Sequence, residues 1–202
     1  MSHLEPASTA TIGRAAAILL AGGLVCFPTD TVYAVACLAD DGDARDRLYA
    51  AKGRDAARPT QVLAADRAAL SPWVTVDERA GRLMAEFWPG PLTLVLPATA
   101  RAVAELGQVV SEGTLGVRVP DSVPALAILR EVGRPVAASS ANLTGQPPAV
   151  TGAEAAASLG DDVELVVDGR CELRVGSSIL DLTQPEPRLL REGGIPAHRL
   201  IR

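Results

Sequence analysis

Apolar residues run along this chain in short blocks whose spacing switches between a helical and an extended period. Ser8 or Thr9 is placed to cap a helix rich in Ala, Ile and Leu that runs through Ala21, where Gly22-Gly23 ends it. Residues 24–27 then read as a strand that stops at Pro28, and residues 33–38 as a second β-like run. Further helices are predicted over 43–52, 77–87, a segment capped by Asp121 or Ser122 that ends at Gly133, and 153–159. Further strands are predicted over 62–64, 92–96, 115–119, 135–139, 163–167, 178–182 and 188–190. Strands thus alternate with helices, with extra short strands near the end. The pattern predicts an α/β (α+β) fold, a twisted mixed β-sheet with helices packed around it. Residues 1–8 carry no such pattern and are expected to be a loose tail before a single domain over 9–202. No internal repeat, low-complexity block or long linker divides the chain.

The pattern also marks where polar chemistry gathers. The apolar run at 136–138 stops at Ser139-Ser140, and Ala141, Asn142, Thr144, Gly145 and Pro147-Pro148 follow. Hydroxyls, an amide and a bendable backbone at a strand end suit a polar, anionic ligand, because open α/β sheets bind ligands there. Pro28-Thr29-Asp30-Thr31 closes another strand with hydroxyls around an acid, a set that orients amino or carboxylate groups and also makes an ordinary turn. Lys52, Arg54 and Arg58 place cations at a helix end, either as a solvated charge run or as a polyphosphate clamp. Arg118 sits between valines in a β-like run and needs an anionic partner, a ligand or an internal carboxylate. Trp88-Pro89-Gly90-Pro91 reads first as a packed corner.

Composition narrows these options. A chain of 202 residues folding as one unit buries about 70% of its unfolded surface, so its core needs no staples. Aromatic content of 3% argues against base-stacking platforms, and a net charge of −5 against a generally basic nucleic-acid surface. Cys26, Cys37 and Cys171 lack C-x-x-C spacing and read as small buried hydrophobes of a reducing cytoplasm. The apolar run at 15–27 is too short to span a bilayer, which takes about 20 residues, and lacks a basic flank, so no membrane segment is expected. Walker-type, dinucleotide-binding and nucleophile-elbow motifs are absent. The only histidines are His3 and His198, which leaves no His-based triad or zinc site. Any catalysis must rest on positioning and electrostatics.

Six segments in series resemble the YrdC family of threonylcarbamoyl-AMP synthases. They are Pro28-Thr29-Asp30-Thr31-Val32-Tyr33, Lys52-Gly53-Arg54 with Arg58-Pro59, Trp88-Pro89-Gly90-Pro91-Leu92-Thr93, Val117-Arg118-Val119-Pro120-Asp121, Ser140-Ala141-Asn142 with Gly145, and Leu190-Arg191 with Gly193. The resemblance implies the short, single-domain form of the family and its fold around a large, positively lined cavity. It implies an enzyme that joins L-threonine, bicarbonate and ATP into threonylcarbamoyl-AMP and pyrophosphate. A separate transferase complex then places the threonylcarbamoyl group on adenosine 37 of tRNA. It implies threonine contacts at Thr31, Arg118 and Ser178. ATP contacts are implied at Arg54, Arg58, Thr114, Ser140, Asn142 and Arg191, with Lys52 and Arg54 acting electrostatically. Mg²⁺ is expected with the ATP, without an identifiable protein ligand. The chain departs from the family pattern at Ala34, Asp55, Thr60-Gln61 and Ala138, the last standing where a serine usually contacts the amino acid. Two other readings stay open: a related carbamoyl-adenylate or carbamoyl-handling enzyme with a different acceptor, and a non-catalytic nucleotide- or RNA-binding module.

Overall fold

The computed structural model of the chain describes residues 3–53 and 60–201. The strands are β1 (His3–Pro6), β2 (Val25–Phe27), β3 (Ala34–Leu38), β4 (Gln61–Leu63), β5 (Leu92–Pro97), β6 (Thr114–Arg118), β7 (Val136–Ser140), β8 (Leu165–Asp168), β9 (Ser178–Asp181) and β10 (Arg188–Arg191). All join one ten-stranded sheet in the order β1-β8-β2-β3-β7-β4-β6-β5-β9-β10. Parallel and antiparallel pairs mix along it, which bears out the α/β expectation. The helices are α1 (Thr9–Leu20), α2 (Gly42–Ala51), α3 (Glu78–Phe87), α4 (Ala100–Leu106), α5 (Val123–Val132), α6 (Gly152–Leu159) and α7 (Ala197–Leu200). Most start at a side chain that accepts from an otherwise orphaned backbone N–H: Ser8 for α1, Asp41 for α2, Asp77 for α3, Thr99 for α4 and Ser122 for α5. Thr151 and Glu154 form a capping box on α6.

The expected loose tail is a strand from residue 3 onward. β1 pairs in parallel with β8, His3 opposite Leu165 and Pro6 opposite Asp168. As an edge strand it needs a ladder on one side only, so it tolerates Pro6 and shows no alternation in four residues. Glu5 also pairs with Arg14 of α1 at 2.5 Å. α4 and α7, both short, went unmarked in the sequence pattern as well.

What matters for function is how the two sheet faces are covered. One face is buried throughout under α2, α3, α4 and α6 in a single large apolar cluster that includes Val62, Leu92, Leu94, Leu115, Val117 and Leu180. On the opposite face α1 and α5 cover only the β8-β2-β3-β7 half, packing on Val25, Phe27, Ala36, Leu38, Val136 and Leu165. Beyond β4 the uncovered face changes character. Its residues are Gln61, Thr114, Gly116, Arg118, Thr93, Val95, Ser177 and Ile179, and all of them line one cavity. Side chains alternate along each strand, so the same strands supply an apolar core on one side and a polar floor on the other.

Candidate active site

The cavity measures about 510 Å³, within the range of small-molecule sites. The half-sheet just described forms its floor. Its side wall is the end of β2, the start of β3 and the end of β7, which bring Thr29, Thr31, Ser139, Ser140 and Asn142 to it.

Arg118 is the anchor of the wall. It is 2% exposed and holds three hydrogen-bond acceptors: Gly90 O from Nε at 2.9 Å, Thr31 Oγ1 from Nη1 at 2.9 Å, and Asp30 Oδ1 from Nη2. The internal ion pair, one of the two readings of this residue, is present, and the side chain also lines the cavity. Asp121 N donates to the same Asp30 oxygen at 3.1 Å, while Asp30 Oδ2 is buried without a partner. Burial lowers the Arg118 pKa, and Asp30 opposes that shift. A guanidinium carries five N–H donors, so two remain for a ligand anion. The corner at Trp88 serves this anchor: Trp88 Nε1 donates to Leu92 O at 2.6 Å, and the turn behind it aims Gly90 O at Arg118.

Thr31 is 1% exposed and its proton is already committed. Thr29 Oγ1 donates to Val32 O at 2.7 Å, so in the 2.9 Å contact between the two hydroxyls Thr31 is the donor. Thr31 thus offers an acceptor lone pair to the cavity and holds Arg118 in place.

Lys52 caps the end of α2 and is buried away from the cavity. Its Nζ donates to Ser140 O and, at 2.7 Å, to Asn142 O, pinning the turn that presents both residues. Asn142 Nδ2 donates to Leu143 O at 2.9 Å and Gln146 O at 2.8 Å, while its Oδ1 is buried with no partner, an acceptor awaiting a donor. Thr114 lines the cavity with its hydroxyl donated to Ser111 O at 2.8 Å.

Arg191 closes the opposite wall. A bulge between Leu189 and Arg191 turns it inward, and a Cβ on Gly176 would sit 3.1 Å from its Cζ, so glycine there makes room for the guanidinium. Nε donates to Ser177 O at 2.9 Å and Nη2 to Ser177 Oγ at 3.1 Å. Burial lowers its pKa as well.

Ser178 does not reach the cavity. It is fully buried, donates to Ile195 O at 2.7 Å, and accepts from Gly193 N at 2.9 Å and Ile195 N at 3.0 Å. Its neighbour Ser177 lines the cavity, because successive strand residues face opposite sides. Arg54 and Arg58 lie outside the described residues. Among the described residues the lining holds Arg118 and Arg191 against Glu192, so these residues alone do not make the cavity strongly positive. Thr60, Gln61, Thr93, Ser111, Gln146 and Ser177 also line it, without having been assigned roles from sequence. Thr93 was legible as the one polar residue in the Leu-Thr-Leu-Val-Leu run of β5. No cluster of three or more metal-ligating side chains occurs among the described residues.

Comparison with known proteins agrees with this geometry. Residues 17–193 match the family model Sua5_yciO_yrdC, described as "Telomere recombination". A putative threonylcarbamoyl-AMP synthase of Mycobacterium tuberculosis is 39% identical over 197 residues, 94% of this chain and 87% of that protein. Threonylcarbamoyl-AMP synthase of Bacillus subtilis is 39% identical across 94% of this chain, which spans 55% of that longer protein. Among solved structures, P. abyssi Sua5 complexed with L-threonine superposes with a TM-score of 0.90 at 35% identity, covering 99% of this chain and 59% of that one. E. coli YciO superposes with a TM-score of 0.89 at 28% identity, covering 100% of both chains.

Proposed function

The chain belongs to the Sua5/YciO/YrdC family, and from that premise we propose that it is an L-threonylcarbamoyladenylate synthase, forming threonylcarbamoyl-AMP and pyrophosphate from L-threonine, bicarbonate and ATP. The observation that carries this reading is the meeting, in one cavity, of Arg118 and Arg191 with the Ser140-Asn142 turn. An arginine with two N–H groups left to take a carboxylate, beside hydroxyls, an amide and a second arginine, fits an amino acid and ATP side by side. In this assignment Arg118, set by Thr31 and Asp30, takes the threonine carboxylate on its two remaining N–H groups. Ser140, Asn142, Thr114 and Arg191 line the ATP subsite, and Arg54 and Arg58 are assigned to ATP from the sequence alone. Lys52 acts through the backbone it pins, and Ser178 through the β9-to-Ile195 packing it ties down.

The one Asp or Glu carboxylate in the described lining, Glu192, accepts from Ala197 N at 3.0 Å, and in this reading the rate comes from placement and charge. The threonine amine attacks CO2 derived from bicarbonate and loses a proton to give a carbamate. A carbamate oxygen attacks the α-phosphorus and pyrophosphate leaves. ATP brings about four negative charges, and guanidinium groups in a site drier than water offset the charge that moves onto the leaving pyrophosphate. Mg²⁺ enters as part of the ATP substrate, held by its phosphates, a mode that asks for no protein cage. The product goes to a threonylcarbamoyl-transferase complex acting on tRNA in the cytoplasm; no helix among the described residues is long and apolar enough to cross a membrane. The test is labelled bicarbonate. Label in an AMP adduct that forms only with both threonine and ATP supports the reading, and label that never leaves the bicarbonate pool rejects it.

A further inference from the structure

The start of β4 presents a cavity residue with no role in the assignment so far. Gln61 lies opposite Ala138 on β7 and Gly116 on β6, neither of which has a polar side chain. Gln61 is therefore the polar group at this point of the cavity floor. Its Oε1 accepts a 2.7 Å hydrogen bond from the Thr93 hydroxyl. A hydroxyl has one proton to give, so in the 2.8 Å contact between Thr93 and Ser177 the donor is Ser177. Arg191, which can only donate, supplies Ser177 Oγ from Nη2 at 3.1 Å. Four side chains from β10, the β9 edge, β5 and β4 thus form a hydrogen-bonded row that runs in one direction, Arg191 to Ser177 to Thr93 to Gln61. The row starts at a permanent charge and ends by holding the glutamine carbonyl against the floor. The amide NH2, with no protein partner among the described residues, is left as a donor to the cavity.

An NH2 donor recognises an acceptor. In an α-amino acid the acceptors are the carboxylate and any side-chain oxygen, while the amine is itself a donor. With the carboxylate on Arg118, the remaining acceptor of threonine is its β-hydroxyl oxygen. We propose that Gln61 is a specificity-determining residue that reads the β-hydroxyl of the amino-acid substrate, and that Thr93, Ser177 and Arg191 fix its amide in the reading orientation. This rests on the threonine-dependent reading of the site. It also links the two subsites, because Arg191 stands at the head of the row.

The test compares L-threonine with L-2-aminobutyrate, which lacks the hydroxyl. Calorimetric affinities are measured for both with α,β-methylene-ATP bound, on the unaltered protein, Gln61→Ala and the near-isosteric Gln61→Met. The expected result is that each variant binds threonine about tenfold more weakly, the loss of one net hydrogen bond, and binds 2-aminobutyrate within about twofold of the unaltered protein. Should the alanine variant unfold, the methionine variant carries the comparison. Equal weakening for both ligands, an unchanged threonine preference in the variants, or no preference in the unaltered protein overturns the proposal. A Gln61-dependent preference without pyrophosphate release from ATP leaves Gln61 standing and rejects the synthase reading instead.

Discussion

Asp30 and Arg118 form the site's most consequential pair. Their side chains are 9% and 2% exposed, and the guanidinium has no other carboxylate partner among the described residues. Removing one member of such a pair leaves a buried charge uncompensated and costs about 3–5 kcal/mol. Asp30→Ala is therefore expected to lower the unfolding free energy measured in urea by about that amount, and to weaken threonine binding because Arg118 loses one of three restraints. Equilibrium denaturation with calorimetry on the same samples checks both effects. A variant as stable as the unaltered protein would show that Arg118 does not depend on its internal partner. The sequence marked Arg118 as needing an anion but not which one, because Asp30 and Arg118 lie 88 positions apart and meet only through the fold.

At the scale of elements, the alternating faces of β4, β5, β6 and β9 decide what is core and what is cavity. Gly116 belongs to the floor, and an added Cβ there would meet only ordinary contacts, with Gln61 and Thr93 atoms at 3.8 Å. Gly116→Leu is expected to fold with a melting temperature within a few degrees of the parent, since a side chain pointing into open space neither empties nor overfills the core. It should weaken ATP and threonine binding more than about tenfold by occupying the floor. Thermal unfolding and titration calorimetry separate the two effects, and retained binding would place the ligands elsewhere. Strand existence was readable from apolar runs, and the caps at Ser8 and Ser122 from residue type alone. Register was not. The choice between Ser177 and Ser178 hangs on one residue of phase, and phase is set by pairing with β5 and by the Gly193 and Ile195 backbone that occupies Ser178. Gln61 stayed unread for the same reason: a weak three-residue strand carries too little pattern to show which face its first residue takes. β1 lacked any pattern at all.

The whole molecule divides into a covered half-sheet, which supplies stability, and an open half-sheet, which supplies the site. The covered part buries titratable groups that must stay neutral. Burial pushes the thiols of Cys26 and Cys37 up to about 12, and raises the Tyr33 hydroxyl as well. Unfolded thiols lose their protons near 9.0, so above that pH the unfolded chain holds fewer protons than the native one and stability falls. Denaturant midpoints are expected to hold steady up to about pH 8.5 and then decline toward pH 11, with a shallower decline in Cys26→Ala. A flat profile across that range would mean these groups titrate alike in both states. The open half makes a different demand: its polar floor, its two walls and the row from Arg191 to Gln61 all face one cavity. The most direct test is pyrophosphate release from ATP by the purified protein as L-threonine and bicarbonate are added singly and together. Release that requires both, and exceeds that with other amino acids, is the expected result. ATP cleavage indifferent to threonine, or none with nucleotide bound, would contradict the account.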